Sequence, residues 1–270
     1  MRYFIALLAA ACVTTPAFAT PLKPGQFAGS VNVGAELPLD GDVHGGAAAT
    51  VASLAALNGN LPATSAQLRI ESRSYDDIYG NATTYGIEGR LGLEGDREVF
   101  AEVRRTEADG GSVQVGTAFV PALGPSGATL PVNGTFDDFK STTVEAGVRQ
   151  YFGSGKVRPY VAARAGVAFV DEIRATFQVP VPNGVGAEPN DIDIKNVPFY
   201  DDSTTISAGI DVGASWQVAE RLSVSAEVGI RYRGDLDGND AAIGGLGLAS
   251  INNDSDAFTV PVSVKLSYAF

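Results

Sequence analysis

Glu88, Arg90, Glu102, Arg104, Glu145, Arg149, Arg164, Asp211, Glu227, Arg231 and Lys265 are the charged residues of this chain that spacing could bring together. Each stands in a run where polar or small residues alternate with apolar ones. Alternate side chains of a strand point to opposite faces, so these charges fall on the polar faces of their strands. With Glu36 they make six acids and six bases. An unpaired buried charge is costly. A balanced set turned inward therefore either pairs into an internal ion-pair network or lines a narrow path for small ions.

Two other constellations could do chemistry. His44, the single histidine, lies in Asp42-Val-His-Gly-Gly46. A histidine beside a hydroxyl and an orienting carboxylate would make a nucleophilic set, and Ser203 with Asp202, or Asp40 and Asp42, are the available partners. Nothing in the spacing brings them together, and the Gly- and Asp-rich surroundings predict a solvated loop histidine. Asp235-Leu-Asp-Gly-Asn-Asp240 places acids at alternate positions, as calcium loops do. The glycine such loops need at their sixth place and the glutamate at their twelfth are replaced by Asp240 and Leu246, so no specific calcium site is expected. No dinucleotide or phosphate-loop fingerprint occurs in a strand-turn-helix context, and no cofactor is expected.

The elements that must position the charges are eight alternating segments: 26–37, 83–93, 98–106, 140–152, 157–170, 203–217, 221–233 and 257–270. The last is the clearest. Phe258, Val260, Val262, Val264, Leu266, Tyr268 and Phe270 occupy every second place, with polar or small residues between. Segments of about 9–11 residues cross a bilayer when tilted, and an apolar face opposite a polar one suits lipid outside and a polar lumen inside. Three connections are tight turns, at 94–97, 153–156 and 218–221, and these alternate with four long ones. Short periplasmic turns and long external loops are the habit of bacterial barrels. Phe27, Phe152, Trp216 and Phe270 would mark one membrane interface, and Tyr85, Phe169, Tyr232 and Phe258 the other. The fold class expected is all-β, a transmembrane antiparallel up-and-down barrel of eight strands.

Residues 112–120 and, more weakly, 67–73 also alternate. They are expected as hairpins standing above the membrane, although counting both as crossings would give ten strands. The Ala-rich stretch 47–57 suggests a short helix or interfacial element. The connections 38–81, 107–138, 171–202 and 234–256 hold 21 acids and only 4 bases, so they concentrate the negative charge in what read as polar linkers.

Residues 1–19 read as a secretory signal peptide, with Arg2, an apolar run from Tyr3 to Val13 and the small-x-small end Ala17-Phe-Ala19. The remainder, 20–270, is expected to be one barrel domain. Its removal of Cys12 and Met1 would leave no cysteine and no methionine, and therefore no disulfide or thiolate chemistry. The net charge of −12 excludes a nucleic-acid partner.

The chain resembles the small outer-membrane β-barrels of Gram-negative bacteria, those of outer membrane protein A type with eight strands. The resemblance is carried by the signal end, by Tyr85-Gly-Ile-Glu-Gly-Arg-Leu-Gly92, by Val157-Arg-Pro-Tyr-Val-Ala-Ala-Arg-Ala-Gly166, by the strand-turn-strand 208–232 and by the terminal Tyr268-Ala-Phe270. It implies an outer-membrane location, contact with outer-membrane lipids and lipopolysaccharide, and biogenesis through periplasmic chaperones and the barrel assembly machinery. In such families the machinery reads the terminal aromatics, here Tyr268 and Phe270. A peptidoglycan-binding domain follows some relatives, and none is expected here after Phe270. The function expected is a structural or surface role, with a narrow small-ion pore left open. The alternatives are a general solute porin and a lipid A-modifying enzyme of the His–Ser kind.

Overall fold

A computed structural model describes residues 22–270, and the expected signal peptide lies outside them. The chain rises through β1 (Phe27–Asp40) and passes through β2 (Asp42–His44), β3 (Ala47–Val51), β4 (Ala66–Ile70), β5 (Arg73–Ser74) and the one-turn helix α1 (Tyr75–Ile78). It descends by β6 (Ala82–Leu93) and rises by β7 (Arg97–Ala108). The hairpin β8 (Ser112–Val120) and β9 (Ala128–Phe136) leads back to β10 (Phe139–Tyr151), and β11 (Val157–Val170) rises again. A further hairpin, β12 (Ile173–Val179) and β13 (Ile192–Tyr200), precedes β14 (Ser203–Ala219), β15 (Leu222–Arg233) and β16 (Ala257–Ala269).

Eight of these strands close an antiparallel barrel in the order β1-β16-β15-β14-β11-β10-β7-β6. Consecutive crossings are neighbours, and the first and last strands seal the wall from Ala28↔Ala269 to Asp40↔Phe258. Closure leaves no unpaired edge within the wall, the condition for a sheet to cross a bilayer. The apolar phase faces outward along every strand: Val33, Ile87, Val144, Ile206, Ile210 and Val264 are all exposed, Ile210 by 65%. Phe27, Phe152, Trp216 and Phe270 ring the short-turn end, and Tyr85, Phe169 and Phe258 ring the other. Tyr232 packs on Phe258 with ring centroids 5.1 Å apart. A belt so apolar on a closed wall is a lipid-facing surface, and the chain is an outer-membrane-type transmembrane β-barrel.

The tight turn between β6 and β7 places Gly95 and Asp96 at φ 72° and 60°. Positive φ at successive turn residues suits the twist of the strands it joins, and glycine reaches it without steric cost.

The long connections differ from expectation. They are not polar linkers. Their strands form a second, six-stranded sheet in the order β13-β12-β9-β8-β4-β3. Residues 112–120 and 67–73 stand above the barrel and do not cross the membrane; each belongs to an antiparallel pair, β8 with β9 and β4 with β3, and the two pairs also join edge to edge from Gln67↔Phe119 to Ile70↔Gly116. The stretch 47–57 is a strand followed by a 3-10 turn at Leu54–Ala56. This crown carries the hydrophobic core of the molecule: Val43, Val115, Phe136, Ile173, Phe199 and Ile251 are among its buried members. Its polar residues cover the outside, which is why its composition reads as loop.

Candidate functional site

Barrel strands with polar inner faces leave a lumen that must be filled or hydrated, and eight strands enclose just enough room for side chains. The inward positions are 86, 88, 90 on β6 and 98, 100, 102, 104 on β7, and likewise around the wall. They bring all eleven sequence-nominated charges into one interior, each at most 7% exposed.

The network is layered. At mid-height Arg149 holds Glu88 through both terminal nitrogens, at 3.2 and 3.0 Å. Lys265 Nζ lies 2.8 Å from Glu88, 3.1 Å from Glu227 and 3.4 Å from Glu102. Arg164 is the hub. Its guanidinium is 2.5 Å from Glu102, 2.7 Å from Asp211, 3.0 Å from Glu227 and 3.5 Å from Glu145. Arg104 reaches Glu145 at 3.5 Å, and Arg231 reaches Asp211 at 3.2 Å. Towards the short-turn end Arg90 pairs with Glu98 at 3.0 Å. Glu36 is half-buried and accepts hydrogen bonds from Thr259 at 2.6 Å and Thr106 at 3.4 Å.

Sequence reasoning left out Glu98, Arg158, Phe100, Tyr151 and Tyr160, all buried in the same interior. Parity alone would have found them, since they continue the inward phase of 102 and 104 or of 149 and 164; nearness to turns and aromatic character hid them. The aromatics carry charge chemistry as well. Arg149 lies over Tyr160 at 4.7 Å and over Phe100 at 5.0 Å, the geometry in which a ring face attracts a cation. Glycines on the inner face give these groups space. A Cβ at Gly229 would come within 2.1 Å of Asp211 Oδ1, and one at Gly209 within 2.4 Å of an Arg231 nitrogen.

Both mouths are occupied. At the crown end Arg233 of β15 and Phe139 of β10 meet over the lumen, guanidinium to ring at 4.6 Å, and Arg233 also lies 4.7 Å from the Tyr75 ring. Tyr75 belongs to α1, whose start is locked by reciprocal bonds: Asp77 N–H donates to Ser74 Oγ (3.2 Å) and Ser74 N–H to Asp77 Oδ2 (3.1 Å). The Tyr75 hydroxyl donates to Ser255 O at 3.0 Å, which ties the helix to the last long connection. At the other end residues 22–26 fold into the mouth. Leu22 is buried, and its N–H donates to Glu98 at 3.3 Å. A polar vestibule of about 370 Å³ remains there, lined by Lys23, Gln26, Arg90, Glu98, Tyr151 and Arg158 among others.

The remaining nominated residues are not assembled into catalytic sets. His44 is not a solvated loop histidine: it is 1% exposed in the crown core, stacked on Phe136 with centroids 6.0 Å apart. The expectation failed because Asp42-Val-His-Gly-Gly46 looks hydrophilic while Val43 and His44 point into an apolar layer. Ser203 does not face it; its hydroxyl donates to Asp201 O at 2.8 Å and accepts from Asp237 N–H at 2.9 Å. Asp235 in the calcium-like stretch accepts the N–H groups of Ser255 and Asp256 at 2.8 and 2.9 Å, a loop brace. Among the described residues no cluster has the donors for a metal ion. Tyr268 and Phe270 pack ring to ring at 5.4 Å on the outer face, both exposed.

Burial pushes the His44 imidazole below its ordinary value, with Arg73 adding to the shift and Gly45 O and Asp42 opposing it. The folded crown thus binds this proton less tightly than the unfolded chain does. The associated stability is complete above the unfolded value of about 6.5 and declines as pH falls below it. Denaturant unfolding of the crown is expected to become easier as pH falls from 7.5 to about 5.5, and His44→Phe is expected to remove that dependence. An unchanged pH profile in the variant would contradict the assignment.

No family model matches the chain, and no curated protein matches it. Among solved structures it is similar to Neisserial surface protein A, at 15% identity over 91% of this chain and 97% of that one, with a TM-score of 0.41. It is similar to the outer membrane protein OprG from Pseudomonas aeruginosa, at 12% identity over 92% and 98%, with a TM-score of 0.39. The outer membrane protein AlkL is a third, at 16% identity over 96% and 97%, also with a TM-score of 0.39. These likenesses run along nearly the whole of each chain.

Proposed function

We propose that this protein is a non-conducting, non-catalytic anchor that carries a folded crown on the bacterial surface. The barrel sits in the outer membrane, with lipids and lipopolysaccharide around its belt and the crown outside. The reading includes export by a signal peptide over 1–19 and assembly by periplasmic chaperones and the barrel assembly machinery, with Tyr268 and Phe270 as the recognised end. A chain lacking Phe270 would then accumulate unassembled in cells.

The observation that carries the reading is the filled lumen. Ion pairs occupy mid-height, the Arg233–Phe139–Tyr75 stack covers one mouth, and residues 22–26 cover the other. A general solute porin needs about 16–18 strands to leave an aqueous channel, and the wall here has eight. A small-ion path would have to pass between charges already paired with one another. A lipid A enzyme of the His–Ser kind would need His44 and a serine hydroxyl to meet at the membrane surface, and the ring lies instead against Phe136 and Phe199.

Planar-bilayer recording of the refolded protein tests this. The expected record has no discrete unitary currents at moderate voltage. Sustained, ion-selective steps would restore the pore reading.

A further inference from the structure

Three asparagines of this chain precede a glycine: Asn58-Gly59, Asn133-Gly134 and Asn183-Gly184. In that pair an asparagine side chain is most open to attack by its own backbone, because glycine has no Cβ to screen its nitrogen or restrict its dihedrals. The deprotonated glycine nitrogen adds to the asparagine Cγ. A nitrogen–carbon bond forms, and the side-chain carbon–nitrogen bond breaks with release of ammonia. Water then opens the cyclic imide at either carbonyl, which leaves aspartate or isoaspartate. The ring closes only where the carboxamide can turn onto the next nitrogen and no ladder holds that nitrogen.

The fold gives the three pairs different settings. Asn58 is held: its Nδ2 donates to Asp191 O at 2.8 Å and to Pro189 O at 3.1 Å, and its Oδ1 accepts the Asn60 N–H at 3.0 Å. Asn133 and Gly134 lie inside β9, with β8 on one side and β12 on the other, through Val113↔Gly134 and Phe177↔Gly134. Gly134 is buried, and a Cβ there would come within 2.8 Å of the Val115 side chain. Asn183 and Gly184 are both exposed at the tip of the connection from β12 to β13. Pro182 O accepts the Val185 N–H at 3.3 Å across them, with Gly184 at φ 88°. Asn190 Nδ2 donates to the carbonyls of Pro182 and Val185, each at 3.1 Å, and so fixes the base of the turn. Among the described residues neither the Asn183 carboxamide nor the Gly184 N–H has a hydrogen-bond partner. Nothing lies within 4 Å of where a Gly184 Cβ would stand.

We propose that Asn183 is a self-modifying site: in the folded protein its side chain deamidates through attack by the Gly184 nitrogen, while the fold protects Asn58 and Asn133. Each event adds one negative charge to the crown. The isoaspartate product also lengthens the backbone by one methylene. The turn lies between Val179, where β12 ends, and Ile192, where β13 begins, so the sheet keeps its register. The chemistry needs water and no enzyme, and it is independent of whether the lumen conducts.

Wild-type protein refolded into lipid nanodiscs is held at mildly alkaline pH, where more of the Gly184 amide is deprotonated, and a second sample is held unfolded in concentrated urea. Both are digested with pepsin in acid, which halts the reaction, and the three Asn-Gly pairs are followed by mass spectrometry. In urea the three are expected to deamidate at similar rates. In nanodiscs Asn183 is expected to keep close to its unfolded rate, while Asn58 and Asn133 slow at least about tenfold, because their surroundings must first open locally. Aspartyl and isoaspartyl peptides are both expected at Asn183, the signature of the cyclic imide. Gly184→Ala is expected to slow the reaction at Asn183 by at least about tenfold. Asn183 intact in nanodiscs while it reacts in urea, Asn58 or Asn133 reacting as fast as Asn183 in nanodiscs, or an aspartyl product alone would each overturn the proposal. The comparison of folded with unfolded wild type decides the matter whether or not the variant folds.

Discussion

Replacing Arg164 by Met is expected to destabilise the barrel by about 3–5 kcal/mol, the range for removing one partner of a buried ion pair. The side chain is fully buried and touches four carboxylates, those of Glu102, Asp211, Glu227 and Glu145. Methionine keeps about the length of the apolar stem and removes the guanidinium, with its charge and its N–H donors. Lys265, Arg104, Arg149 and Arg231 must then serve those acids and their own, and Asp211 is left with Arg231 alone at 3.2 Å. Urea unfolding of the protein refolded into lipid vesicles measures the loss. A second change, Asp211→Asn, removes the stranded charge and is expected to recover part of it. A loss below about 1 kcal/mol, the size seen for solvent-screened pairs, would mean that water already shields this interior.

The second large effect is expected in the crown. Phe136 is 2% exposed and packs its ring against His44, Phe177 and Phe199, with centroids 6.0, 6.1 and 5.5 Å away. Phe136→Ala should cost about 3–5 kcal/mol, the transfer of the ring plus the cavity it leaves. The loss falls on the crown and not on the wall, because the wall is held by its own ladder and by lipid. Protease added to intact cells is expected to cut the long connections of the variant at least tenfold faster than those of the wild type. The variant barrel should still shift on heating in an electrophoretic mobility assay. Loss of both properties together would show that crown and barrel unfold as one unit.

The barrel was legible in the sequence because lipid outside and charge inside impose a strict period of two on every crossing. Strand ends fell within a few residues of those found, as with 257–270 against Ala257–Ala269. The inward charges followed from the same parity. The crown was far less legible, for reasons that differ from strand to strand. β9 contains Pro131, Asn133 and Gly134, poor strand formers. Pro131 is tolerated because β12 pairs only with residues 133–136 of β9, so no neighbour on that side asks for its missing N–H. β13 is interrupted by Asn196 at φ 50° and by a register shift opposite Ala175 and Phe177, which breaks the alternation that would identify it. β12 alternates cleanly through Ile173, Ala175, Phe177 and Val179, but it follows β11 so closely that it reads as the fringe of a crossing. The acid-rich composition of these connections reflects their outer surface, while Val43, Ile173 and Phe199 are wholly buried beneath it.

That the long connections form one packed unit above a plugged barrel is tested most directly by hydrogen–deuterium exchange in lipid bilayers. Backbone amides of β8, β9 and β12 are predicted to be strongly protected, while those of the exposed turns at 58–60 and 183–186 exchange quickly. Exchange of β8, β9 and β12 at the rate of unstructured peptide, with the barrel strands still protected, would contradict the account.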